Sequence, residues 1–431
     1  MAFGSIVPWN LFKVSRRAKV ACSVACVFLA TTVLGSDTYG ARTSEPALGT
    51  GQPAQELAVH TGDRSGDHLR FYRCFLADPG YERASNDRSY KGTNRSNNRS
   101  AEGFEALSES SPPGREDLQR CAPNELGKIM IVMYHDIQSE EKEWVRSRDN
   151  FRKDLERFYR EGFVLIRLSS YLRGEIPVPA GKTPLILTFD DATPGQFRFV
   201  ERDGELIPDP NCAVGILLDF SRKHPDFGCA ATFFIDFPAP FGVPSQVEAK
   251  LRFLLENGME IGNHTYNHRN LRNSPPEQIA EEIGKLTAAV KNICGYEVCS
   301  LALPFGAYPQ HKEVLASGVW EGVEYRNLGV LLVGAEPAPS PFSKHFKPLA
   351  IPRIRGCEDE LSKWLEYFRR NPQARFISDG NADTITIAQD DERNIDRDRT
   401  GGKTVIVYST NNGDSKTASP NTSSPSVSPG H

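Results

Sequence analysis

Four apolar runs of strand character organise this chain, and side chains with metal-ligand and acid–base chemistry recur at their C-terminal ends. Residues 129–134 lead into His135 and residues 185–189 into Asp190-Asp191. Residues 259–262 lead into Asn263-His264-Thr265-Tyr266-Asn267-His268, and residues 300–303 into Pro304-Phe305-Gly306. Between these runs the apolar positions change to helical spacing. Phe151, Leu155, Phe158 and Tyr159 share one face of a helix predicted over 150–162, with Gly162 as its stop. Residues 247–257 predict a second helix, ended by Gly258. Ser274-Pro275-Pro276-Glu277 reads as a capping-box start for a third, which carries Ile279, Ile283, Leu286, Val290 and Ile293 and closes at Gly295. Leu361, Trp364, Leu365 and Phe368 mark a fourth. Strands alternating with helices predict βα units around a largely parallel sheet. A segment of this length fits one α/β barrel better than two domains, and such folds place active sites at the C-terminal ends of their strands.

The flanks read differently. Lys13, Arg16, Arg17 and Lys19 border an apolar stretch over 18–35, which predicts an export signal within residues 1–40, cleaved near Ser36 or Gly40. Thr and Ser interrupt the stretch, so an uncleaved membrane anchor is the alternative. Either way the bulk of the chain is expected to be exported, extracellular or anchored at the cell envelope. Residues 41–122 are rich in Ser, Asn, Arg, Gly, Glu and Pro, with the short run 69–76 as an exception. They offer too little apolar surface to offset chain entropy and predict a disordered spacer. Residues 409–431 predict a disordered tail, which leaves 123–408 as a single catalytic domain. A net charge of -4 argues against a nucleic-acid partner. The cysteines show no zinc-knuckle spacing, and Cys212 with Cys229 and Cys294 with Cys299 are the candidate disulfides.

Within the domain, Asp190-Asp191 places two carboxylates at one strand end, where one can hold a metal while the other takes a proton. An isolated acid pair is more often a cap or a solvated loop. The spacing of four between His264 and His268 puts both imidazoles on one side if the segment is a helical turn. Two imidazoles and a carboxylate leave open positions for water and substrate, as catalytic metal sites require. The long connection 193–229 contains a helix-like run over 214–220 and is expected to form a rim over the groove.

Thr188-Phe189-Asp190-Asp191, then Asn263-His264-Thr265-Tyr266-Asn267-His268-Arg269-Asn270-Leu271, then Leu303-Pro304-Phe305-Gly306 resembles, in order and separation, the polysaccharide deacetylase family (NodB-homology, carbohydrate esterase family 4). The resemblance spans residues 129–387. It implies a distorted (β/α)7-type barrel and one divalent metal ion, zinc with cobalt or nickel as alternatives. Asp191, His264 and His268 would be the ligands, Asp190 the general base, and the backbone N–H of Phe305 an oxyanion donor. The string Met133-Tyr134-His135-Asp136-Ile137 is similar to a permuted branch that includes biofilm poly-N-acetylglucosamine deacetylases, in which an early strand-end His acts as the acid. The late strand 330–333 is followed here by Gly334 and not by His.

Two positions depart from the family pattern. Ala192 stands where Gly is usual, and Ala302 where many members carry an Arg that orients the base. Arg353, in Ile351-Pro352-Arg353-Ile354, is the expected substitute for that Arg. The implied function is hydrolysis of N-acetyl groups on an acetylated amino-sugar polymer: poly-N-acetylglucosamine, peptidoglycan or a chitin-like chain. Alternatives are an O-acetyl esterase or other amide hydrolase of the same fold, or a catalytically weakened polysaccharide-binding envelope protein.

Overall fold

The computed structural model describes residues 121–409 and the backbone of 415–417. The expected export signal or anchor and nearly all of the spacer lie outside the described residues. Eight parallel strands make the main sheet: β1 (Met130–Tyr134), β2 (Phe163–Leu165), β3 (Thr183–Phe189), β4 (Thr232–Ile235), β5 (Glu260–Asn263), β6 (Ser300–Ala302), β7 (Gly329–Ala335) and β8 (Ile351–Arg355). Seven of them close a ring in the order β1-β8-β7-β6-β5-β4-β3, sealed by β1 pairing with β3 from Met130↔Leu185 to Tyr134↔Phe189. β2 adds to the first half of β3, whose second half pairs with β4. This is the expected distorted (β/α)7 barrel.

The strands alternate between two apolar layers. Val132, Leu187, Phe233, Ile235 and Ile261 face outward onto the helices, and Ile131, Ile186, Phe234, Ala302 and Leu331 share the second cluster in the barrel interior. Among the described residues six α-helices are resolved in full, in chain order: α1 (Arg148–Arg160), α2 (Leu168–Arg173), α3 (Ala213–Lys223), α4 (Val247–Glu256), α5 (Pro276–Cys294) and α6 (Glu358–Arg370). On α1, Phe151, Leu155 and Phe158 are fully buried, as their spacing predicts. Its true cap lies upstream of the predicted start, where the Ser147 hydroxyl accepts from Asn150 N. The capping box expected at Ser274 does not form. Pro275 is the N-cap of α5 and no side chain caps it, because the second proline takes the first helical position and leaves Ser274 one residue too early.

The connection over 193–229 is α3 plus an antiparallel hairpin, Phe199–Arg202 with Glu205–Pro208. α3 packs beside α1 on the barrel wall. The hairpin turns at Asp203-Gly204, both left-handed at φ 56 and 81, the Asp-Gly signal of a tight hairpin. Neither candidate disulfide forms. Instead the Cys212 sulfur accepts from Gly215 N at the start of α3, and Cys294 is bonded to Val290 O. Thr384–Ala388 and Thr404–Tyr408 pair in parallel, and Ser415–Thr417, within the expected tail, adds a third strand. Ile385, Ile387, Val405 and Val407 pack with Ile129 and Ile131 and cover the barrel at the start of β1.

At the opposite end, the strand tips that carry His135 and Asp190 are tied together. Tyr134 and Phe189 are register partners with stacked rings 5.6 Å apart. The Tyr134 hydroxyl donates to Asp154 on α1 at 3.0 Å, and Asp154 is paired with Arg146 at 2.6 and 2.9 Å. Arg146 also reaches Glu141 and Glu358, so one buried guanidinium joins the segment before α1 to α6. Removing one partner of a buried pair strands the other charge. Asp154→Ala is expected to lower the unfolding free energy by about 3 kcal/mol, read by denaturant unfolding.

Candidate active site

The acid expected to serve as base is the most tightly held group at this end of the barrel. Asp190 is 1% exposed and receives both arms of the Arg353 guanidinium at 2.7 Å. Arg353 is 0% exposed, and two further donors reach Leu332 O at 2.8 Å and Thr188 Oγ1 at 3.1 Å. Arg353 thus meets Asp190 from the neighbouring part of the ring, while Ala302 packs in the interior. Burial alone would raise the Asp190 carboxyl, but the charges of Arg353 and His264 hold it below the usual carboxylate value. The Gln196 amide donates to the carbonyls of both His135 and Asp190 and locks the two strand ends together. Sequence reading missed Gln196, since nothing in its neighbours marks it.

Asp191, His264 and His268 converge beside Asp190. Their ligand atoms lie within 4.8 Å of one another, and the Nε2 atoms of both imidazoles are 3.2 Å from Asp191 Oδ1. Burial opposes the charge on Asp191, and hydrogen bonds from the two imidazoles outweigh it and hold this carboxyl far below the ordinary range. His264 Nδ1 lies 2.9 Å from Ala302 O, a contact that assigns the proton to Nδ1 and turns Nε2 toward the cluster. The two histidines do not share a helical turn. Residues 264–268 are a loop in which Thr265 and His268 adopt φ of 63 and 50. Glu282 on α5 pins that loop, accepting from Asn267 N, Asn267 Nδ2 and Arg269 Nε at 2.8–3.0 Å.

This donor set fits a divalent metal ion. Two imidazole nitrogens and one carboxylate oxygen on one side leave further positions open, and the outer nitrogen of His264 is already bonded to a backbone carbonyl. Nothing in the donors singles out zinc over cobalt or nickel.

His135 is half-buried past the end of β1, with its ring 4.7 Å from that of Trp144. Arg355 covers Trp144 at 3.9 Å. Burial pushes the His135 imidazole below its ordinary value, and Asp190 and Asp191 pull the other way. Phe305 follows β6 in a tight turn at φ 60, its ring edge-on to His268 at 4.7 Å and 65% exposed. All seven residues singled out from the sequence therefore belong to the C-terminal end of the barrel. The structure adds Gln196, Glu282 and Asp236, the last at the tip of β4.

Residues 178–318 match a family model described as polysaccharide deacetylase. No curated protein matches the chain. Among solved structures, the chain is similar to the deacetylase PplD of Streptococcus pyogenes in complex with acetate, at 20% identity over 53% of this chain and 92% of that one, TM-score 0.39. It is similar to IcaB of Ammonifex degensii at 17% identity over 55% and 95%, TM-score 0.38. The BpsB deacetylase domain of Bordetella bronchiseptica gives 15% identity over 54% and 97%, TM-score 0.37.

Backbone strain concentrates at this site. Asp191, Ala192, Thr265, His268 and Phe305 all have positive φ. Ala192, at φ 42, holds a left-handed conformation that Gly would adopt freely, so the Cβ stores strain. Left-handed geometry costs an L-residue ~1–2 kcal/mol, and added glycine freedom costs ~0.5–1 kcal/mol. Ala192→Gly is expected to leave stability unchanged or raise it by up to about 1 kcal/mol. A loss of more than about 1 kcal/mol in denaturant unfolding would show that Ala192 carries no strain.

Proposed function

We propose, from a chain whose residues 178–318 match the polysaccharide deacetylase family model, that this protein hydrolyses N-acetyl groups on an amino-sugar polymer outside the cell. The observation that carries the reading is the pairing of two sites: a compact Asp191-His264-His268 donor set beside an Asp190 clamped by a buried guanidinium. A divalent ion bound there supplies Lewis-acid polarisation of an acyl carbonyl and acidifies a water molecule. Asp190 is kept ionised and aimed by Arg353, as a general base must be. His135 stands one residue past the register partner of Phe189, across from Asp190, and suits protonation of the leaving amine. The Phe305 turn offers a backbone N–H to the developing oxyanion. The apolar segment near the N-terminus supports export, and an envelope polymer is then the accessible substrate. A catalytically weakened binding protein is disfavoured, because Arg353 makes to Asp190 the contact that Ala302 cannot.

Acetate release from a panel of acetylated poly-glucosamine, peptidoglycan and chitin oligomers, after metal reconstitution, tests the reaction and ranks the substrates. Asp190→Asn is expected to cut turnover by roughly 10²–10⁴-fold, and full turnover would exclude Asp190 as the base. Arg353→Gln has a separate signature in the pH profile. Without the guanidinium, burial raises the Asp190 carboxyl, so the ionised base is lost at a higher pH as the solution is acidified. The acidic limb of kcat/KM should therefore move upward, and an unmoved limb would show that Arg353 does not tune the base.

A further inference from the structure

Asp236 has no part in the chemistry described so far, yet the fold brings it to the metal-ligand set. It follows β4, which lies in the ring between the strand that delivers Asp190-Asp191 and the strand that delivers His264. Strand alternation turns Phe234 and Asp236 to one face. Phe234 packs in the barrel interior, 5.6 Å below the Arg353 guanidinium, so that face is the inner one. Both peptides beside Asp236 are bonded to the ligand loop. His264 N donates to Ile235 O and Phe237 N donates to Tyr266 O, each at 2.9 Å. The Phe237 and Tyr266 rings stack at 5.3 Å and fix the same contact from outside. Asp236 is therefore held against the loop that carries both histidines, and its charged neighbours are His264, His268 and Asp191.

We infer that Asp236 is an outer carboxylate of the metal site, which raises affinity for a divalent cation by adding a negative charge without joining the three inner ligands. It is not among the residues whose donor atoms cluster within 4.8 Å, which assigns it to the outer shell. Burial and the charge of Asp191 both push its carboxyl up, opposed by the two imidazoles, so the like-charged pair is a strain in the absence of a cation. A bound cation turns that repulsion into attraction for both carboxylates.

The inference rests on the metal-site reading, and its test separates the two. Zinc affinity of the purified full chain is measured by chelator competition for the wild type, His264→Ala, Asp236→Asn and Asp236→Ser, with thermal unfolding of each metal-free protein. Wild type should bind one zinc and His264→Ala should not. Asp236→Asn and Asp236→Ser should bind about 10-fold or more weakly, in the range typical of outer-shell partners, while their metal-free unfolding temperature is unchanged or higher. If the wild type takes up no zinc, the metal-site reading itself fails. If the wild type binds zinc and both Asp236 variants bind within about 2-fold of it, only the outer-carboxylate role is overturned. A metal-free protein destabilised by both substitutions would mark Asp236 as structural and overturn it equally.

Discussion

The active end of this barrel depends on one buried ion pair, Arg353 with Asp190. Both side chains are removed from water, and desolvating two charges costs several kcal/mol per ion unless the geometry recovers it. Here it is recovered by two parallel 2.7 Å hydrogen bonds and by Leu332 O and Thr188 Oγ1, which accept from two further guanidinium donors. The barrel is shaped around this pair. Between Leu331↔Ile351 and Ala335↔Arg353 the register of β7 against β8 slips, with four steps on one strand opposing two on the other. Pro352 lies within that irregular stretch, where a missing N–H is tolerated. The bulge lets Arg353 point into the interior beneath Asp190.

Around this rigid point the site is built from strained backbone. Left-handed conformations at Asp191, Thr265 and His268 turn three ligands from two different strand ends toward one centre. Such conformations persist where the surroundings over-determine them. Glu282 and Asn263 do so for the histidine loop, with Asn263 Oδ1 accepting from Thr265 N at 2.8 Å and Asn263 Nδ2 donating to Ile283 O at 2.9 Å. The aspartate turn is held by the Gln196 amide and by Phe241 N, which donates to Ala192 O at 2.6 Å. A barrel floor that is apolar and closed leaves this end free to carry the strain.

What was legible in the sequence was what is local. A strand end followed by acids or histidines is contiguous, so His135, Asp190, Asp191, His264, His268 and Phe305 stand out without knowledge of neighbours. Arg353 was legible only through the string around it, since its partner lies far away in the chain. Gln196, Glu282 and Asp236 were not legible, because each acts on a residue brought near by ring closure rather than by spacing. The conformation at His264 was not legible for a related reason: a spacing of four is satisfied equally by a helical turn and by a left-handed kink, and only the pinning by α5 decides between them. The Asp203-Gly204 hairpin was written locally and overlooked, whereas the terminal sheet owes its order to packing under the barrel.

The charges gathered at the strand ends give an independent reason for a cation there. Asp190, Asp191 and Asp236 are three carboxylates removed to different degrees from water, and Arg353 is the guanidinium bonded directly among them. With neutral imidazoles, as metal ligation requires, three negative charges face one positive charge and two remain uncompensated. Uncompensated buried charge is among the most destabilising arrangements a fold can hold. The carboxylates around His264 favour its protonated form, which relieves part of this charge. A divalent cation relieves it fully and displaces that proton. The excess of negative charge at this barrel end is therefore what equips it to bind a doubly charged ion, with Asp190 reserved by Arg353 and Asp191 left to the histidines.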